Sequence, residues 1–285
     1  MTRLRALVDG VRAMDPVLLI ARWSLLVLLV NSNEDPIVFV GLAIVAAVAL
    51  PRPSIVLSPW FWAAAFVVIG LRQLATWHTV DDHIVVTTYW CAALALGLTA
   101  RDARATLAAS ARLLLGVVFA LAAAWKLGSG QFIDGTFFRF TLLFDDRFET
   151  VARWIGGSTP QDHRANVDAV NALLALDGRG PAAALVEGPR NILLAGVFTA
   201  WGVAIESAIA VSFLLPLRRR YEWLRHACLL AFAGTTYLIV PVGGFGTLLM
   251  LLGASQSSSE RMRMTYLVAG LGLLVWAGVW PLIFL

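Results

Sequence analysis

Six windows of this chain carry no Asp, Glu, Lys or Arg: residues 36–50, 84–100, 113–125, 191–205, 227–259 and 264–285. A bilayer's hydrocarbon core is about 30 Å thick and takes about 20 apolar residues of helix to cross. Shorter apolar stretches around 16–30 and 58–76 bring the expectation to about eight transmembrane helices. Composition agrees: 59% of the 285 residues are hydrophobic and 14% are charged, against roughly 45–50% and about 25% in soluble domains. A water-soluble enzyme of this length would expose too much apolar surface, so an all-α polytopic membrane protein is the direct reading. We expect a single transmembrane domain over 1–285, embedded in the lipid bilayer.

The net charge of +4 is weak and dispersed, which excludes a nucleic-acid partner. The arginine distribution sets an expected orientation. The N-terminal arm, Arg52, the Arg101/Arg104 turn and Arg218–Arg220 with Arg225 read as cytoplasmic. The acidic 31–35 turn, the 76–83 segment and the 127–190 stretch then read as outside. Arg22 interrupts the first apolar run and no small-x-small cleavage site follows, so we expect an uncleaved first span. Pro241, Gly243, Gly244 and Gly246 fall inside the long window 227–259 and predict a helix, a break and a second short helix.

The stretch 136–144 is too short to cross and too apolar to float free, which predicts an interfacial or re-entrant helix. Thr159-Pro160 reads as a cap with Pro at the first helical position, and Val167, Val170, Leu173 and Leu174 follow at helical spacing up to Asp177-Gly178. We therefore expect a small outer helical cap, about 136–190, inserted in the domain and open to a protein partner at the outer face.

Candidates for chemistry are ionisable groups within apolar surroundings, because charging one there costs several kcal/mol without a partner. They are Arg22, Arg72, His83, Lys126, Glu206 and His226. Lys126 is the only lysine beside 21 arginines, and unlike Arg it can lose its proton. At the end of a span beside Trp125 it either snorkels to the headgroups or is a desolvated base. Glu206 is protonated, a working acid or base, or paired, with Arg72 or Arg22 as expected partners. His226 reads as a structural hydrogen-bonded group. The segment Trp77–His83 holds His78, Asp81, Asp82 and His83, a set that reads as a solvated polar turn, a metal site, or Asp82 or His83 projecting into a pocket. No second ligand pair accompanies it, so no metal is expected. Cys91 and Cys228 read as small buried hydrophobes.

The run Ala122-Ala-Ala-Trp-Lys-Leu127 followed by Phe132-Ile-Asp-Gly135 resembles the HTTM domain, the membrane portion of vitamin K-dependent γ-glutamyl carboxylase and its bacterial relatives. Trp77 to His83 is a looser match to that family's Trp-Asn-Asn-His stretch. His226, Thr235–Tyr237, Phe245 and Leu248–Met250 are similar to its His-containing helix and Gly-Phe-Pro turn, with Gly246 in place of the proline. The similarity covers about residues 15–255. It implies a bacterial plasma-membrane protein with a cytoplasmic N-terminus that uses reduced vitamin K or menaquinol, an isoprenoid quinol. By this resemblance Lys126 deprotonates the quinol and His83 assists. Asp82, Asp134, Glu206 and His226 are expected to support the site, with Trp77, Trp125 and Phe132 against the cofactor. The family's large C-terminal substrate domain has no counterpart in these 285 residues. The implied activity is a quinol-linked oxidation or carboxylation on some other partner. The competing expectation is a non-catalytic membrane subunit or scaffold.

Overall fold

The structure is a computed structural model that describes residues 9–32, 36–78, 82–175 and 184–284; the side chains of Asp82, His83, Arg219 and residues 280–284 lie outside the description. Every regular element among the described residues is helical. In chain order these are α1 (Pro16–Val30), α2 (Pro36–Ala49), α3 (Pro53–Val56), α4 (Pro59–Ala75), α5 (Asp82–Gly97), α6 (Ala103–Gly128) and α7 (Gly130–Ile133). They continue as α8 (Thr136–Phe144), α9 (Asp146–Trp154), α10 (Pro160–Ala175), α11 (Asn191–Leu214), α12 (Trp223–Thr236), α13 (Gly243–Gln256) and α14 (Glu260–Phe284). A short 3-10 turn, Arg219–Tyr221, precedes α12.

Among the described residues, three helices are long and apolar enough to cross a membrane: α6, α11 and α14 over Glu260–Val279. This corrects the expectation of about eight spans. Apolar helices α1, α2, α4 and the Ile84–Gly97 part of α5 have 17 residues or fewer, or at most roughly 26 Å at 1.5 Å per residue. Counting charge-free residues misses where the backbone stops. The run 36–50 ends as helix at Ala49, ahead of Pro51 and Pro53. The run 227–259 divides into α12 and α13, with the break over 237–242 where Pro241 stands.

Side-chain caps fix several helix starts. Asp15 Oδ1 accepts from the backbone N–H groups of Val17 and Leu18 at 2.9 and 3.0 Å, with Pro16 at the first position of α1. Asp102 Oδ1 accepts from Ala105 N–H at 2.9 Å and starts α6. At α10 the cap is reciprocal: Thr159 N–H donates to Asp162 Oδ2 at 2.8 Å, and Asp162 N–H donates to Thr159 Oγ1 at 3.1 Å.

Helix α13 is the centre of the bundle. Its residues Gly246 to Ser255 are all buried, and it packs on α14, α6 and α1. Gly253 makes the α13–α14 approach feasible, because a Cβ there would stand 2.6 Å from the Tyr266 ring. Cys91 is buried, Cys228 is partly buried, and both are free thiols.

The most extensive pairing is α6 with α11, and it decides where the candidate site forms. A Cβ on Gly116 would meet Leu214 at 2.6 Å, so the two backbones approach closely there. From that point Lys126 lies ten residues on along α6 and Glu206 eight residues back along α11. Because the helices run antiparallel, both positions fall at nearly one height.

Helices α7 to α10 form a separate layer between α6 and α11 in sequence. Its small core joins Leu142, Phe148 and Ala152 to Leu194 and Ala195 of α11. The expected helix at 136–144 is α8, and the expected cap at Thr159-Pro160 starts α10. An extended segment closes the layer: Asn166 pairs both ends of its amide with the backbone of Val186 at 2.9 and 2.8 Å, and Arg139 forks onto Glu187 at 3.0 and 2.7 Å.

Candidate functional site

The site is a cavity of about 590 Å³ under the end of α6. Val118, Phe119, Leu121, Ala122, Trp125 and Lys126 of α6 form one wall. Val85 and Val86 of α5, Glu206 of α11, Phe232 of α12 and Phe245 of α13 complete it. Every lining residue except Lys126 and Glu206 is aliphatic or aromatic. Phe119 and Phe232 meet edge to face at 4.9 Å between ring centroids.

Lys126 Nζ donates to Glu206 Oε2 at 2.5 Å, and the two side chains are 16% and 10% exposed. The lysine therefore turns inward and does not snorkel. Glu206 takes Lys126 as its partner in place of the expected Arg72 or Arg22. The ammonium position also lies 5.3 Å from the centroid of the Phe132 ring, within cation–π range. Phe132 is 1% exposed and touches the rings of Trp125, Phe137 and Phe138. An aromatic floor thus holds the lysine head in place.

In an overall neutral pair, the amine and the carboxyl group divide one acidic proton between them. Ammonium with carboxylate, and amine with carboxylic acid, are two arrangements of the same proton count. Low local dielectric strengthens the interaction while making an unpaired charge costly. The pair can take a second proton from a bound hydroxyl, which would leave Lys126 positive towards the cavity. Burial of an acid–base pair in an apolar slot is the arrangement from which proton-transfer sites are built.

The other sequence candidates separate clearly. Trp125 lines the cavity and Phe132 supports Lys126, whereas Trp77 is 77% exposed beside His78 and is not a lining residue. Asp134 lies outside the cavity, exposed; its carboxylate accepts from Thr136 N–H at 2.9 Å and begins α8 after Gly135, whose φ is +80°. Hydrogen bonds from Thr136 hold the Asp134 carboxyl below its ordinary value. His226 sits apart from the cavity lining, with Nδ1 3.0 Å from the Tyr266 hydroxyl and 3.2 Å from Gln256 Nε2. The side chains of His83 and Asp82 lie outside the described residues, though their helix α5 contributes Val85 and Val86 to the wall.

Sequence reasoning missed Phe119, Phe232, Val85, Val86 and Val118. One signal existed: Val118, Ala122, Trp125 and Lys126 recur at helical spacing, so a single stripe of α6 faces the cavity. Apolar residues in an apolar run otherwise look the same whether they face lipid, core or cavity.

No family model matches the chain, and no curated protein or solved structure matches it. Among the described residues, fold and site together define a helical protein with three helices able to cross a membrane and an ion-paired apolar cavity between the end of α6 and the middle of α11.

Proposed function

We propose that this chain is an integral membrane, HTTM-like protein that binds an isoprenoid quinol, such as reduced vitamin K or menaquinol, in the α5–α6–α11 cavity. Its activity is a quinol-linked oxidation or carboxylation in which Lys126 and Glu206 manage the proton. The observation that carries this reading is the Lys126–Glu206 pair in the wall of an otherwise apolar cavity. Its volume falls within the range of about 300–1,000 Å³ common for small-molecule sites. Aliphatic and aromatic lining suits a ring with an isoprenoid tail, and the pair suits its hydroxyl. When bound, the quinol would supply that acidic hydroxyl and two electrons, which dioxygen as co-reactant would accept.

The remaining work belongs to the chain's own residues. With the pair's acidic proton on Glu206, Lys126 Nζ takes up the hydroxyl proton, and the protonated Glu206 accepts a hydrogen bond from the ammonium so formed. Phe119, Phe232 and Phe245 give the slot apolar walls. The ammonium faces the oxygen that has lost its proton and stabilises the charge left there. Leu121 and Trp125, 66% and 60% exposed, place the outer side of this wall against lipid.

Purified full-length protein in vesicles, supplied with menaquinol or reduced vitamin K, tests this. Lys126→Arg keeps the charge and removes the proton-transfer capacity, because a guanidinium does not give up its proton, so turnover should fall at least about 100-fold with the helical fold retained. Full turnover in that variant would remove Lys126 from the mechanism. A second reading, a non-catalytic subunit, rests on exposed Trp154 and Ile155 at the end of α9. Co-purification of a stoichiometric partner together with indifference to Lys126→Arg would favour it.

A further inference from the structure

At the opposite end of α6 from Lys126, two guanidinium groups converge without a carboxylate between them. Arg104, in the first turn of α6, and Arg263, in the first turn of α14, both line a small depression with Pro16, Val17, Ser255 and Ser257. Each spends one N–H on a backbone carbonyl: Arg104 Nη2 on Ser258 and Arg263 Nη1 on Ser257, both at 3.3 Å. Neither takes part in an ion pair among the described residues.

The charge of Arg104 acts against that of Arg263, and Glu260 attracts Arg263. Asp102 and Asp15 are engaged with backbone instead, capping α6 and α1. Two forked donors that line one depression are stabilised against one another when an oxyanion stands between them. The depression has room for about one water-sized atom, near 10 Å³. One oxygen of a phosphoryl group fits there while the rest of the group stays outside. Two spanning helices begin here, so the depression lies at headgroup depth.

We propose that Arg104 and Arg263 form a phosphoryl-oxyanion site, filled by the phosphate of an anionic membrane lipid or by free phosphate. This site is independent of the quinol cavity and rests only on the membrane reading. The two basic groups supply an attraction of about 1 kcal/mol each near an anionic surface, or roughly 30-fold together.

Native mass spectrometry of the full chain, released from detergent after equilibration with phosphatidylglycerol or phosphatidylcholine, tests the proposal. Phosphatidylglycerol should be retained in preference, and Arg104→Gln/Arg263→Gln should cut that retention at least about tenfold. Arg153→Gln/Arg164→Gln, which removes the same charge from the outer layer, should leave it unchanged. Displacement of the lipid by millimolar inorganic phosphate in wild type, absent in the Arg104/Arg263 variant, would support the site with free phosphate as its occupant. Equal retention by the two double variants would overturn the proposal. Should the Arg104/Arg263 variant not fold, Glu260→Gln removes the competing carboxylate and should raise retention; unchanged or lower retention would overturn it. Quinol turnover should be unaffected throughout, so failure here leaves the cavity assignment untouched.

Discussion

Helix α11 is in contact with two buried charges that do opposite things. Glu206 is 7% exposed and Arg225, reaching in from α12, is 6% exposed. Arg225 donates through Nε to the Ser212 carbonyl at 2.7 Å and through Nη2 to the Leu215 carbonyl at 3.2 Å. It thereby satisfies carbonyls that the end of α11 leaves open, and no described cavity touches it. Glu206, at mid-helix where the backbone is already satisfied, meets a lysine and a cavity instead. Equal burial therefore does not mark equal function. The distinction is whether the partners use up the group's capacity on the fold or leave a titratable proton facing space.

Breaking the Glu206 side should have the largest effect. Glu206→Ala leaves Lys126 without its counter-charge and should destabilise the protein by about 3 kcal/mol while eliminating quinol turnover. Lys126→Met/Glu206→Leu should recover most of that stability and none of the turnover. Thermal unfolding in detergent beside the vesicle assay reads both, and recovery of turnover in the double variant would break the contrast.

On the other side, Arg225→Met should cost about 2 kcal/mol through lost charged hydrogen bonds. Per folded molecule, its quinol binding should match wild type. A binding loss larger than the folded fraction explains would show that the two regions are coupled.

The smallest effect concerns a carboxylate with neither burial nor cavity. Asp162 is held below its ordinary value by hydrogen bonds, first from the Thr159 side chain and then from its backbone N–H. A lowered folded-state value contributes stability above the unfolded value of about 3.9, and that contribution is lost as pH falls through the folded value. Asp162→Asn should therefore lower the melting temperature slightly at pH 7, and the gap should close towards pH 3. A gap that widened on acidification would reverse the sign.

Much of the architecture is written locally in the sequence. Charge-free runs mark helices, Pro241 marks the break before α13, and Thr159-Pro160 marks the start of α10. Span number was less accessible, because hydropathy adds up residues while membrane crossing depends on unbroken helix length. For the site, the solitary lysine and the mid-span glutamate stood out individually. Their pairing did not, since they lie 80 residues apart and meet only through the antiparallel register of α6 and α11. Proximity in a motif does not by itself bring a side chain to a cavity: Asp134 caps a helix, and Trp77 is exposed and outside the lining.

The most direct measurement is the ionisation of a bound naphthohydroquinone, followed by its near-ultraviolet absorbance across pH in wild type and in Lys126→Met. If the pair accepts a proton from the bound hydroxyl, ionisation should occur at lower pH in wild type than in empty detergent micelles, and the shift should vanish in the variant. The same ionisation curve in wild type, variant and micelles would contradict the account.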